Sequence, residues 1–400
     1  MPQIAGFRGI VASAAKLATA AAAPTVSSAA IDVTGGARDA SRAVYRYHQV
    51  FEGPGGRSVT RKMFLCALRL APWSDGSVRP HALADDAVRA AELARIRAGG
   101  SQGGAVLAGF RDAPGEVDRL FRKVEGAAPT LETRSPDGTV HRIWRMQDAE
   151  AFGKLRHAMA PKRVHLLDGH ARYEAMLAYS DELGAKAPLA QYASANYGLA
   201  CLVELGDPGL VVAARHRMLR VPGGAPPRSE PVLAAVRATM IVDRIAGGAT
   251  NAAAALAALA ETVAHQPAFV VAFAGEPDAW KLTLKPDVSP AAEGVTVHRA
   301  VHKLEPYVIE HLFVDRALEG ATSTSTTNAT VALGALAGPG GQGGAPRTAD
   351  AALLTRALSL TDILRVDEHE QRLPAHATAF HPPLLDGLVH LPIDPDEDLV

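Results

Sequence analysis

Cysteine is scarce: the 400-residue chain has two, Cys66 and Cys201. Both stand in apolar runs, Met63 to Leu68 and Gly198 to Val203, where thiols are buried and inert, and this usage points to a reducing cytoplasm. An excess of either charge is also lacking. With 41 Lys and Arg against 42 Asp and Glu, the formal net charge is −1, which excludes nucleic-acid binding by bulk electrostatics. No segment reaches the roughly 18 consecutive strongly apolar residues of a membrane span. The stretch from Arg8 to Ala23 has alanines where a secretory signal needs leucines, and Lys16 interrupts it. Neither a Gly-x-Ser-x-Gly elbow nor a Ser-His-Asp arrangement points to hydrolase chemistry. His298 and His302 stand four apart but have no acidic residue between them, so the metalloprotease pattern fails and no metal ligand is assigned.

What the chain does contain, 48% hydrophobic and 21% charged residues, suits a globular protein of two packed domains or one elaborate one. Residues 42–72 read as a hairpin turning at Gly53 to Gly56, and 85–98 as a helix ended by Gly99 and Gly100. A strand follows at 106–110. Residues 148–159 read as a helix, 164–168 as a strand and 172–183 as a helix stopped by Gly184. Strands at 197–205 and 210–213 flank the turn Gly206 to Gly209, and a helix at 251–263 precedes a strand at 268–274. A helix over 295–312 is expected to break near Pro306, and Thr322 to Pro346 reads as an exposed low-complexity loop. The alternation argues for an α/β or α+β fold. We divide the chain into an N-terminal α/β region with a hairpin (1–145), an α/β core (146–290), and a helical region whose low-complexity loop precedes a C-terminal tail packing back on the core (291–400).

The most informative stretch runs from Val164 to Glu174, where an apolar strand meets a glycine turn that opens directly into a helix. Free N–H groups, the positive end of the helix dipole, a glycine and the nearby His170 and Arg172 together suit an anion. The competing reading is a simple Asp-Gly turn in which the aspartate caps the helix. Two cations in a first helical turn oppose the dipole, and this favours a ligand. Asp168 could hold Mg²⁺, contact a ribose or act as base toward a hydroxyl; Glu174 could serve only to neutralise Arg172. His216 and Arg217, closing a strand after Gly209, offer a second cationic contact or simply a strand end.

Several segments together resemble the bacterial DUF1015 family. They are Ile4 to Ile10, Tyr45 to Phe51, Arg79-Pro80-His81, Asp168-Gly169-His170-Ala171-Arg172-Tyr173, and Asp207 to Leu210 running on to His216-Arg217. The family's central Asp-Gly-His-His-Arg-Tyr motif resembles the phosphate loop of the ParB and sulfiredoxin superfamily, which includes free-serine kinases. The resemblance implies a mixed sheet with flanking helices around a nucleotide-binding core, ATP or ADP with Mg²⁺ as cofactor, and serine or phosphoserine as first substrate. It also implies Asp168 and His170 as catalytic residues, with Gly169, Arg172, His216 and Arg217 binding the cofactor. The departures are specific. Ala171 replaces the second histidine, Ala82 replaces a glutamate after His81, and the Pro-Pro-Tyr-Asp-Val segment survives only vaguely at Ala23-Pro24 and Asp32-Val33. In the tail, Pro374-Ala375-His376-Ala377-Thr378 and Phe380-His381-Pro382-Pro383 lack two lysines of the family pattern, and lysines are usual point charges on a transferring phosphoryl group.

Three readings follow. One is a cytoplasmic nucleotide- or phosphometabolite-binding protein related to phosphotransferases, with no nucleic-acid or membrane partner. Another is a catalytically degenerate ligand-binding or regulatory protein. The third is a purely structural protein, in which Arg172 is paired internally with a carboxylate and no cavity lies above the turn.

Overall fold

The computed structural model describes residues 3–12, 37–53, 55–337 and 347–399. The segments Ala23-Pro24 and Asp32-Val33 lie outside these, as does most of the stretch from Arg8 to Ala23. Two compact units emerge: Met1–Val211 with Phe380–Val400, and Val212–Ala379. Their boundaries do not coincide with residues 145 and 290.

The first unit is built on a nine-stranded mixed sheet. Its longer strands are β1 (Val44–Glu52), β2 (Ser58–Arg69), β3 (Val78–Pro80), β4 (Val106–Phe110), β5 (Leu131–Arg134), β6 (Val140–Met146), β7 (Val164–Asp168) and β8 (Tyr197–Glu204). They lie in the order β3-β7-β4-β8-β2-β1-β6-β5, with Ile4–Ala5 beside β2. The expected hairpin is β1 with β2, antiparallel from Tyr45 opposite Leu65 to Glu52 opposite Ser58. The strand pairs β3/β7 and β4/β8 run parallel, whereas β7/β4 runs antiparallel. Strands β4 and β8 are buried almost throughout, which is why both read as unbroken apolar runs.

The helices of this unit are α1 (Asp86–Gly99), α2 (Glu116–Glu125), α3 (Ala149–Met159) and α4 (His170–Lys186). Asp85 caps α1 by accepting from the Val88 N–H, and Asp148 caps α3 through Glu150 and Ala151. Helices α1 and α4 pack against each other. The C-terminal segment rejoins this unit: Val389–Pro392 pairs with Ile10–Val11 on one side and Ser101–Gln102 on the other.

The second unit carries a six-stranded sheet of β9 (His216–Arg220), β10 (Met240–Ile245), β11 (Ala268–Phe273), β12 (Ala279–Leu284), β13 (Thr322–Thr326) and β14 (Ala351–Leu354), in the order β10-β12-β11-β14-β9-β13. Its helices are α5 (Ser229–Val236), α6 (Ala252–Ala260), α7 (Glu305–Ile309), α8 (Ala329–Gly334) and α9 (Leu360–Glu368). One face of the sheet is covered by a small-residue core in which Ala255, Leu259, Ala332 and Leu333 meet Val270, Ala272 and Leu354.

Two expectations need correction here. Thr322 to Pro346 is not simply a loop, because Thr322–Thr326 forms edge strand β13 against β9 and Ala329–Gly334 forms α8, capped by Asn328. Its β-branched threonines gain a partner strand that composition alone does not reveal; residues 338–346 lie outside the described residues. The helix expected over 295–312 is instead a run of turns to residue 304, then α7 and a π-turn at Glu310–Val314. Pro306 starts this helix rather than breaking it, because its missing N–H costs nothing in a first turn.

Candidate functional site

Strand β7 ends at Asp168, and the chain reverses into α4 through Gly169, whose φ of +86° lies in the left-handed region. A Cβ there would also come within 3.1 Å of the Val106 side chain. The first helical bond runs from the Tyr173 N–H to the Gly169 carbonyl at 2.9 Å, so the N–H groups of His170, Ala171 and Arg172 precede the helical ladder. Among the described residues no side chain caps this N-terminus, and its first turn holds no acidic residue. The Asp168 carboxylate does not cap it in the usual manner, since its Oδ1 accepts from the adjacent Gly169 N–H at 2.7 Å.

Strand β3 lies parallel to β7, so His81, just beyond β3, emerges beside the same junction. The carbonyl of Leu166 can only accept, so His81 donates its Nδ1–H to it at 2.8 Å. Its ring meets that of His170 edge-on, with centroids 4.7 Å apart. The carboxyl ends of two parallel strands and a helix start thus converge, which is where open α/β sheets place ligands.

Arg172 points away from the role expected of it. It donates to both oxygens of Asp386, at 2.8 and 3.3 Å, to Glu92 at 3.2 Å and to the Ala105 carbonyl at 2.9 Å. Burial lowers its pKa, but Asp386 and Glu92 more than compensate and hold it raised. Burial likewise pushes the Asp386 carboxyl up, against the pull of Arg172. Glu92 is shared with Arg95. Gly104 closes over the guanidinium, since a Cβ there would fall 2.5 Å from Cζ. Glu174 does not neutralise Arg172; it accepts from the Trp73 indole at 3.1 Å.

The segment carrying Asp386 is held to the sheet on both sides of that residue. Gln49 donates to the Pro383 carbonyl at 2.8 Å, the Gly387 N–H donates to Gly103 at 2.7 Å, and Arg61 donates to the Pro382 carbonyl. Arg61 is fully buried, and burial lowers its pKa. Sequence reasoning missed Glu92 and Asp386. Their only signal was an acidic residue inside a helix and an Asp-Gly turn in an apolar tail.

His216 and Arg217 belong to the second unit and occupy opposite faces of β9. The His216 Nδ1 accepts from the Thr355 N–H at 3.2 Å, and burial lowers its pKa. Arg217 donates to Glu310 at 2.6 Å. They therefore do not act as a pair. His376 stands at a left-handed backbone angle, φ 62°, with its ring beside Ser325. Among the described residues no three of His, Cys, Asp or Glu converge as a metal-binding group, and no helix is long and apolar enough to cross a membrane.

The sequence from residue 36 to 307 matches the model of a family described as proteins of unknown function, DUF1015. The chain belongs to this family. The matched part takes in the Asp168 to Arg172 junction together with His216 and Arg217, but ends before His376 and Asp386. Among solved structures, the chain is similar to a free serine kinase in complex with AMP, at 10% identity over 78% of this chain and 88% of that one, with a TM-score of 0.37. It is also similar to a conserved hypothetical protein from Pyrococcus furiosus, at 11% identity over 78% and 90%, TM-score 0.38. A third is SbnI with C-terminal truncation from Staphylococcus aureus, at 13% identity over 84% and 90%, TM-score 0.38. No curated protein matches the sequence.

Proposed function

We propose that this DUF1015 protein binds a nucleotide or phosphorylated metabolite at the junction Asp168 to Arg172. One observation carries the reading. Among the described helices of eight residues or more, α4 alone has neither a capping side chain nor an acidic residue in its first turn. The N–H groups that precede its helical ladder lie at the carboxyl ends of parallel strands, and such a helix start receives phosphate without help from a side-chain cation. Gly169 permits the turn, and His170 lines it.

Arg172 is a positioning residue in this reading. It ties α4 to α1 and to the C-terminal segment, and its charge is matched by Asp386 and Glu92. If ATP or ADP with Mg²⁺ is the ligand, Asp168 is the carboxylate at the junction able to meet the metal through water, since Mg²⁺ keeps several waters and takes few protein ligands. A phosphotransferase of the serine-kinase kind would use Asp168 to accept the hydroxyl proton and His170 beside the phosphate. The internal pairing of Arg172 with Asp386 and Glu92 is the arrangement expected of the purely structural reading; because phosphoryl transfer needs cationic groups facing the migrating charge, it also favours a ligand-binding or regulatory protein without turnover over an active phosphotransferase.

Calorimetric titration with ATP, ADP and phosphoserine, each with and without Mg²⁺, tests the proposal on wild type and His170→Glu. A glutamate at the first helical position complements the dipole and leaves the helix intact, yet repels an anionic ligand. Binding by wild type that is lost in His170→Glu supports the site. Equal binding of ATP and ADP by both, or by neither, overturns it. Transfer of phosphate to serine by wild type then separates the two readings.

A further inference from the structure

In the second unit, one face of β9 and its neighbours gathers polar groups that the proposed junction does not use. Arg217 stands directly opposite Ser325 across the β9/β13 ladder, so both project from the same face. Arg215, two residues before Arg217, reaches Ser325 as well: its Nε donates to Ser325 Oγ at 2.8 Å, and Nη1 donates to the Thr378 carbonyl at 2.6 Å. The His376 Nδ1 lies 3.2 Å from Ser325 Oγ and 3.4 Å from Arg215 Nη2. A guanidinium can only donate, so Nδ1 accepts and the imidazole proton sits on Nε2, making that edge a donor.

Two irregularities occur among the residues of this face. His376 adopts φ 62°, a left-handed conformation costly for a residue with a Cβ. Glu310 opens the π-turn Glu310–Val314, a rare element frequent at functional sites. Arg217 is buried at 4% exposure and donates Nη1 to Glu310 Oε2, while its Nη2 is buried with no hydrogen-bond partner among the described residues. A buried guanidinium edge without an acceptor is expensive, and a ligand oxygen would relieve it. Arg215, Ser325 and His376 are each half-buried, so the cluster is reachable from solvent.

We propose that Arg215, Arg217, Ser325 and His376 form a second binding site, for a small oxyanion of the phosphate type, supplied free or as the phosphoryl group of a metabolite. Arg217 Nη2 donates to it, while Arg215 adds charge and, with His376, fixes Ser325. This site stands independently of the junction reading. Its donors come from a sheet face, not from a helix start.

The test is calorimetric titration of the full chain with inorganic phosphate, phosphoserine and acetate, using wild type, Arg217→Met, Ser325→Ala and His170→Glu. Phosphate binding should persist in His170→Glu, weaken about tenfold or more in Arg217→Met, as expected for losing a charged hydrogen-bonding partner, and fall several-fold in Ser325→Ala, which removes the hydroxyl that fixes Arg215 and His376. Acetate should not compete. Tighter binding of phosphoserine than of phosphate identifies a phosphorylated metabolite as the source; equal binding identifies free phosphate. Ser325→Ala buries no unpaired charge and decides the matter if Arg217→Met fails to fold. Absence of phosphate binding, or binding unchanged by both second-unit variants, overturns the proposal.

Discussion

At the scale of single residues, Arg172 shows how tertiary partners redefine a side chain. Removing it leaves Asp386 as a buried carboxylate without its ion-pair partner, while Glu92 keeps Arg95, and a buried pair broken from one side costs about 3–5 kcal/mol. Arg172→Ala should therefore lower stability by about that amount in urea denaturation, and a loss of ligand binding in that variant would not identify a phosphate contact. A double-mutant cycle with Asp386→Asn should recover a substantial part of the loss, because the two sites share one interaction.

Histidine burial sets a pH dependence at the same scale. His141 hydrogen-bonds to the Tyr47 hydroxyl at 2.7 Å, and burial holds its pKa down to about 4; burial does the same to His390. Both must be neutral to fold, whereas the unfolded chain protonates them near the reference value of about 6.5. Between these values the unfolded state binds more protons, so stability is full above about pH 6.5 and is lost as pH falls toward 4. Urea midpoints measured from pH 7 to 4 should fall, and His141→Asn should flatten the curve.

At the scale of elements, the turn at Gly169 is the most constrained. Gly169→Ala places a Cβ 3.1 Å from Val106 in a left-handed conformation, and should cost about 1–2 kcal/mol by urea unfolding while weakening anion binding at the start of α4. The hairpin β1/β2 and the helices α1 and α3 were legible in the sequence, because alternation, turn residues and helical spacing are local signals; that Asp85 and Asp148 cap those helices came from the structure. Strand β13 was not, since a Ser/Thr run becomes a strand only when β9 supplies its hydrogen bonds. The junction itself was legible, apart from α4 beginning at His170 rather than Arg172.

At the scale of the whole molecule, the first unit is discontinuous in sequence: it needs Phe380–Val400, which supplies Asp386 to Arg172 and a strand between Ile10–Val11 and Ser101–Gln102. Truncation after Ala379 should reduce hydrogen-exchange protection in α4 and around Gln102. It should leave the six-stranded sheet of Val212–Ala379 protected, because that sheet has its own core. Equal loss of protection in both units would refute this division of stability.

The sequence by itself determined the local elements and the character of the junction: apolar strand, left-handed glycine, helix start, with His170 and Arg172 at its opening. Each of these depends on neighbours a few residues away, so the pattern carries it. Tertiary structure alone decided what those residues do. Arg172 meets Glu92 and Asp386 across 80 and 214 positions of chain, and no periodicity records such a pairing. That long-range contact takes the arginine's charge for the fold and leaves the backbone N–H groups of α4 as the donors that an anion would meet.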